Sequence, residues 1–202
     1  MTLRLLRLVI GLALFGIGCA VLVQAGIGLD PWTVLAEGLA LQTGIGIGWL
    51  VVITGAIVLL AWIPLRQKPG IGTLANILIV GTVMQGALAV IPAVDDYVWG
   101  IVVFLLGIAL IAAASGIYLG ADLGPGPRDG LMTGLHARLG WPIWVCRFAV
   151  EGSVLVTGWL LGGTVGLGTV LFAVLIGPGV HLALDMSARW RALRARRAAI
   201  AV

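Results

Sequence analysis

Six stretches of this chain are long enough and apolar enough to cross a lipid bilayer, which restricts the fold more than any other feature of the sequence. They lie near residues 5–25, 45–63, 71–92, 98–119, 141–161 and 167–185. Hydrocarbon roughly 30 Å thick takes about 20 helical residues. Inside it every backbone amide needs a partner, and a helix supplies one from its own segment. The 202 residues are 61% hydrophobic and 10% charged, with a mean hydropathy of +1.17. Water-facing domains carry about a quarter charged residues, so an ordinary soluble fold is excluded.

Local signals agree. Trp49, Trp62, Trp99, Trp141, Trp144, Trp159 and Trp190 fall near the ends of these stretches, where indole rings settle at headgroup level. Two further segments, 31–43 and 127–139, each open with a proline, a residue suited to the first helical turn. At about 1.5 Å per residue each reaches only about 20 Å. They are expected either to lie at the interface or to dip into the membrane and return.

Lys and Arg set the orientation. Arg4, Arg7, Arg66, Lys68, Arg128, Arg138 and the C-terminal arginines fall on one side of a six-span chain, and Asp30, Glu37, Asp95 and Asp96 on the other. By the positive-inside rule both ends are cytoplasmic. The formal charge is +4, but Arg189, Arg191, Arg194, Arg196 and Arg197 sit in the tail and leave the rest at −1. The tail (188–202) is expected to lie as a basic helix on anionic lipid, and nothing else in the chain points to nucleic acid. The start of the chain has the look of a secretory signal. Its counterpart in mid-chain indicates a span that is retained.

That counterpart belongs to a repeat. Residues i and i+96 correspond without a gap, pairing Gly11/Gly107, Gly28/Gly124, Pro31/Pro127, Gly38/Gly134, Gly44/Gly140, Gly70/Gly166, Gly72/Gly168, Thr73/Thr169 and Gly81/Gly177. Biased composition scatters Leu and Ala matches but does not align a proline and seven glycines at one offset. The expected fold is an all-α membrane protein with six transmembrane helices as two three-helix repeats (1–92 and 93–187). Each repeat carries one short helix. Three crossings per unit require the second copy to be inverted, a plan recurrent in secondary transporters with a site near the midplane.

Three segments resemble elements of the YczE/YitT-like family of bacterial membrane proteins: LGPGPRDGLMTGL (Leu123 to Leu135), QKPGIGTLAN (Gln67 to Asn76) and GGTVGLGTVLFAVLIGPGVH (Gly162 to His181). The first-unit segment GIGLDPWTVLAEGL departs from the family pattern at Asp30, Thr33 and Ala36. The resemblance implies a protein of the bacterial inner membrane and, by analogy, transport. It implies no substrate.

Candidate site residues follow from the glycine-rich helix starts and the few polar groups at membrane depth. Gly28, Pro31, Gly70, Gly72, Thr73, Gly124, Gly126, Gly166, Gly168 and Thr169 flank helix starts, whose free N–H groups favour anions or polar oxygens. Close packing between membrane helices explains the same glycines equally well. Arg147 and Glu151, four residues apart on one helix face, replace Val51 and Gly55 of the first unit. Ionisable groups at that depth are costly and mark ion pathways, although Arg147 can also snorkel to headgroups with Glu151 neutralising it. If the pair is functional, Glu151 is the candidate for proton or cation coupling. Arg128 can hold an anionic group as a fork donor or serve as an anchor, and Asp129 suits the first turn of its helix. Asn76, Gln85 and His181 are polar positions within the third and sixth spans, the last two at equivalent repeat positions.

Cys19 and Cys146 are isolated, and His136 and His181 are the only histidines, so no metal site can be assembled and no cofactor is implied. There is no phosphate loop or zincin motif. The sequence therefore predicts a permease or exporter for a small polar or anionic solute. A non-transporting scaffold or accessory subunit with a sealed interior is the alternative. A membrane-embedded enzyme is a third reading, disfavoured because Arg147 is a poor proton donor beside Glu151. A homodimer stays open.

Overall fold

The computed structural model describes the backbone of residues 1–200 and the side chains of residues 1–187. Trp190 and the tail arginines, with the lipid contact expected of them, lie outside the described side chains. The chain is all-helical, with no strand among the described residues: α1 (Thr2–Gln24), α2 (Pro31–Thr43), α3 (Ile47–Leu65), α4 (Ile71–Val90), α5 (Tyr97–Leu119), α6 (Pro127–Leu139), α7 (Ile143–Leu160) and α8 (Leu167–Ile200). All except α2 and α6 are long and apolar enough to span a membrane. The spans match the sequence expectation to within a few residues, except that α8 does not stop at 185. No proline or glycine follows Gly179 to break it.

The helix ends are set by local chemistry. Pro31 and Pro127 occupy the first turns of α2 and α6, and Gly44 and Gly140 close them in the left-handed conformation at φ 73° and 68°, the usual glycine stop. Asp96 caps α5 by accepting from the Trp99 N–H at 2.8 Å.

Small residues bring the backbones together where lipid tails offer no competing hydrophobic force. α1 and α5 cross at the centre, with α4 packed on α1 and α8 on α5. Gly11 faces Tyr118 and Gly107 faces Leu22, which are contacts at equivalent positions of the two units. The short helices pack alike: α2 against α7, α6 against α3. Here size is exchanged between the units. Val34 of α2 sits over Gly158 of α7, whereas Gly130 of α6 makes room for the ring of Trp62 on α3.

That contact corrects one expectation. Trp62 does not mark a headgroup boundary; it is 2% exposed, and its indole N–H donates to the Pro127 carbonyl at 3.1 Å. A buried tryptophan needs such a partner. Exposed Trp49, Trp99, Trp141, Trp144 and Trp159 fit the expected positions.

The packing makes a test. A Cβ at Gly70 or at Gly166 would lie 2.5 Å from the carbonyl oxygen of Leu123 or Ile27, respectively. Gly70→Ala and Gly166→Ala should each lower unfolding stability by about 1–3 kcal/mol through overpacking. Gly86→Ala, with nothing within 4 Å, should be neutral or stabilising by up to about 1 kcal/mol. Reversible unfolding in mixed micelles measures all three.

Candidate binding cavity

Two junctions place the polar centre of the molecule. In each, the loop before one unit's short helix joins the start of the other unit's third span. The Ile27 carbonyl accepts from the Gly168 N–H at 2.8 Å, and the Leu123 carbonyl from the Gly72 N–H, also at 2.8 Å. Residues 27 and 123, and 72 and 168, are repeat equivalents, so the bonds are exchanged copies. Gly28 and Gly124 hold the loops at φ 119° and 115°, conformations that side chains rarely adopt.

The threonines finish each junction in different ways. Thr73 and Thr169 both accept from the N–H of their own helix start, Gly70 or Gly166, at 3.2 Å. Thr169 Oγ1 also accepts from the Leu29 N–H at 3.3 Å. The position equivalent to Leu29 is Pro125, which has no N–H, and there the direction reverses: Thr73 Oγ1 donates to the Pro125 carbonyl at 2.8 Å. A hydroxyl can do either.

The junctions bring the N-terminal ends of α2 and α6 together. Asp30 caps α2, its Oδ1 accepting from the Thr33 N–H at 3.3 Å. The same oxygen lies 3.4 Å from the Arg128 guanidinium of α6, which stacks over the Trp32 ring at 4.9 Å. Asp30 is 2% exposed, whereas Leu41 near the other end of α2 is 65% exposed. The helix starts inside the bundle and ends at its surface.

Beside this meeting point lies a cavity of about 340 Å³. Of the residues singled out in the sequence, Pro31, Asn76, Gly126, Arg128, Asp129, Arg147, Glu151 and His181 line it. Gly28, Gly70, Gly72, Thr73, Gly124, Gly166, Gly168 and Thr169 do not; they form the junctions. Gln85 is also elsewhere, accepting from the Gly48 N–H at 3.0 Å, although its repeat equivalent His181 faces the cavity.

The charges are arranged in pairs with one remainder. Arg147 Nε donates to Glu151 Oε1 at 3.1 Å on α7, and Arg128 pairs with Asp30. Asp129 has no ion-pair partner among the described residues. It is exposed at its own surface, yet protein crowds it closely enough for desolvation to raise its carboxyl above the ordinary range, with Arg147 and Arg128 acting in the opposite direction. Asp30 and Trp32 line the cavity, and a buried atom of each, Asp30 Oδ2 and Trp32 Nε1, has no hydrogen-bond partner among the described residues. Thr54 and Ser115, also in the wall, are spent on carbonyls of their own helices. Sequence reading missed Asp30, Trp32 and Tyr118 as lining residues. The signal for Asp30 was present: an acid directly before a proline that opens a helix is a capping signature.

The chain belongs to a family of unknown function, DUF6198, whose profile matches residues 2–184. An uncharacterised protein of Haemophilus influenzae is 43% identical over 90% of this chain and 84% of its own length. The uncharacterised membrane protein YczE of Bacillus subtilis is 32% identical over 88% of this chain and 83% of its own. YyaS, an uncharacterised protein of the same organism, is 26% identical over 89% and 92%. The resemblance to YczE read from the glycine-rich segments is thereby established. No solved structure matches.

The central pair generates a prediction. Arg128→Gln leaves Asp30 buried beside a neutral group and should cost about 3 kcal/mol of unfolding free energy. Adding Asp30→Asn should recover more than half of it. A double-mutant cycle measured by unfolding gives the coupling.

Proposed function

We propose that this member of the DUF6198 family is a small-solute transporter, a permease or exporter, whose site is the cavity where the two repeats meet. One observation carries the reading: Asp30 and Trp32 line a cavity large enough for a small ligand, and each keeps a buried polar atom, the acceptor Oδ2 and the donor Nε1, without a partner among the described residues. Unsatisfied buried polar atoms cost roughly 1–3 kcal/mol each, and a protein that retains them beside a cavity has a use for them. A sealed scaffold would have no such cavity, and an enzyme would need a proton donor beside Glu151, where Arg147 is a poor one.

The mechanism follows from duplication. Three crossings per unit set the second copy upside down, and the exchanged junctions are where one unit rocks against the other. The short helices meet at their N-terminal ends, so a polar solute beside them sees the positive ends of two helix dipoles. Glu151 is the group for proton or cation coupling: it is an ionisable residue on a spanning helix, it lines the cavity, and among the described residues its ion-pair partner is Arg147. The chain is read as a multi-pass protein of the bacterial inner membrane with both termini cytoplasmic. Of the charges that suggested this, Asp30 and Arg128 face each other and carry no orientation signal; Arg4, Arg7, Arg66, Lys68 and Arg138 against Glu37, Asp95 and Asp96 still do.

Proteoliposomes holding the full chain should show flux of at least one class among small zwitterions, organic anions and organic cations. Glu151→Gln and Asp30→Asn should each reduce that flux by about tenfold or more. Absence of flux across all three classes by folded, correctly inserted protein contradicts the reading.

A further inference from the structure

We propose that the cavity is entered sideways from the lipid, through a gap between α7 and α8, and that its ligand is a single-chain amphiphile with a zwitterionic head. This deepens the transport reading and rests on it.

The gap comes from a difference between the two units. In the first, α3 packs along α4, and a Cβ at either Gly48 or Gly81 would lie 2.5 Å from the other's carbonyl oxygen. The second-unit equivalents are Trp144 and Gly177. There α7 and α8 do not pack along each other among the described residues. A Cβ at Gly177 would meet nothing within 4 Å, and Trp144 and Phe148 are 70% and 77% exposed. The sequence explains why. Trp144 stands where Gly48 allows close approach, and Arg147 and Glu151 stand where Val51 and Gly55 are small and apolar. The separation of α7 from α8 is therefore written into the second copy.

The gap lies in the wall of the cavity. Arg147 and Glu151 of α7 line it, and so do Ile176, Gly177, Val180 and Leu184 of α8. Asp30, Arg128 and Asp129 stand where α2 and α6 meet, Arg147 and Glu151 border the gap, and the α8 flank is aliphatic at Ile176, Val180 and Leu184 apart from His181. A ligand fitting both kinds of surface is polar at one end and apolar at the other. About 340 Å³ takes a head and a few chain carbons, leaving the rest of the chain in the membrane.

Charge selects the head. Three carboxylates (Asp30, Asp129, Glu151) face two guanidinia (Arg128, Arg147). A purely anionic head would enter an excess of carboxylate, and a simple cation would meet both arginines. A head carrying both charges can place its anion near the guanidinia and its cation near Asp129.

The test uses purified full-length protein in detergent and compares three probes: lysophosphatidylethanolamine, the chainless head glycerophosphoethanolamine, and anionic lysophosphatidylglycerol. The first should bind at least about tenfold more tightly than either of the others, because chain burial and head charge each contribute. Gly177→Trp fills the gap where there is space for it. It should weaken lysophosphatidylethanolamine binding at least about tenfold at unchanged Tm, while Gly86→Trp, in open space on α4, has no effect. Equal binding of the chainless head overturns the sideways entry, and so does unchanged binding by Gly177→Trp. Equal binding of the anionic probe overturns the zwitterionic head. A second copy of the chain cross-linked across α7 and α8, excluding the probe, also overturns the proposal. Should Gly177→Trp fail to fold, photolabelling of wild-type protein by a chain diazirine decides. Adducts on Ile176, Val180 or Leu184 support entry there, and adducts confined to the outer helix faces contradict it. Chain-dependent binding without any flux defeats the transport reading alone; flux of chainless solutes without chain preference defeats this inference alone.

Discussion

The structure depends on an exchange of main-chain hydrogen bonds between the two repeats. A loop that breaks helical structure within a bundle of membrane helices leaves N–H and C=O groups that lipid cannot satisfy. Here each unit's irregular loop is satisfied by the other unit's helix start, Ile27 with Gly168 and Leu123 with Gly72. The glycines follow from that exchange, because side chains at Gly70 or Gly166 would collide with the carbonyls being bound. Once the loops are fixed, the starts of α2 and α6 are held inside the bundle, and Asp30 and Arg128 reach each other from elements 98 positions apart.

Positions that match at the offset of 96 give the frame, and positions that differ line much of the cavity. Where the copies agree, they make contacts that hold the molecule together: Gly11 and Gly107, the paired threonines, the glycine junctions. Where they differ in compensating ways, as with Val34 on Gly158 and Gly130 under Trp62, packing is kept. Several uncompensated differences border the cavity. Arg147, Glu151 and Asp129 have Val51, Gly55 and Thr33 as equivalents, and Asp30 has Gly126. Charge costs most in this environment, and here several charges without a like counterpart in the other unit gather around one cavity.

Much of this was legible in the sequence. Apolar length alone gave the six spans, and the prolines and glycines bounding 31–43 and 127–139 set both short helices, since turn chemistry at helix ends is local. The fixed offset of the glycines singled out the junction residues but not their task; a helix-start glycine reads the same whether it meets a ligand or a carbonyl. Trp62 misled for a related reason. An indole near the end of an apolar run suits a headgroup boundary, and only the missing side chain at Gly130, far away in sequence, lets the ring turn inward. The separation of α7 from α8 was least legible, because it depends on comparing the partners of Gly81 and Gly177, which are identical residues in identical local sequence positions.

Hydrogen exchange at the amides of Gly72 and Gly168, in the full chain within a bilayer, tests the exchanged junctions most directly. Both amides stand at helix starts, where first-turn N–H groups have no partner in their own helix. If they are bonded to Leu123 and Ile27, they should exchange as slowly as amides in the middle of α1 and α5. Exchange as fast as that of Asp95 in its exposed loop would contradict the account.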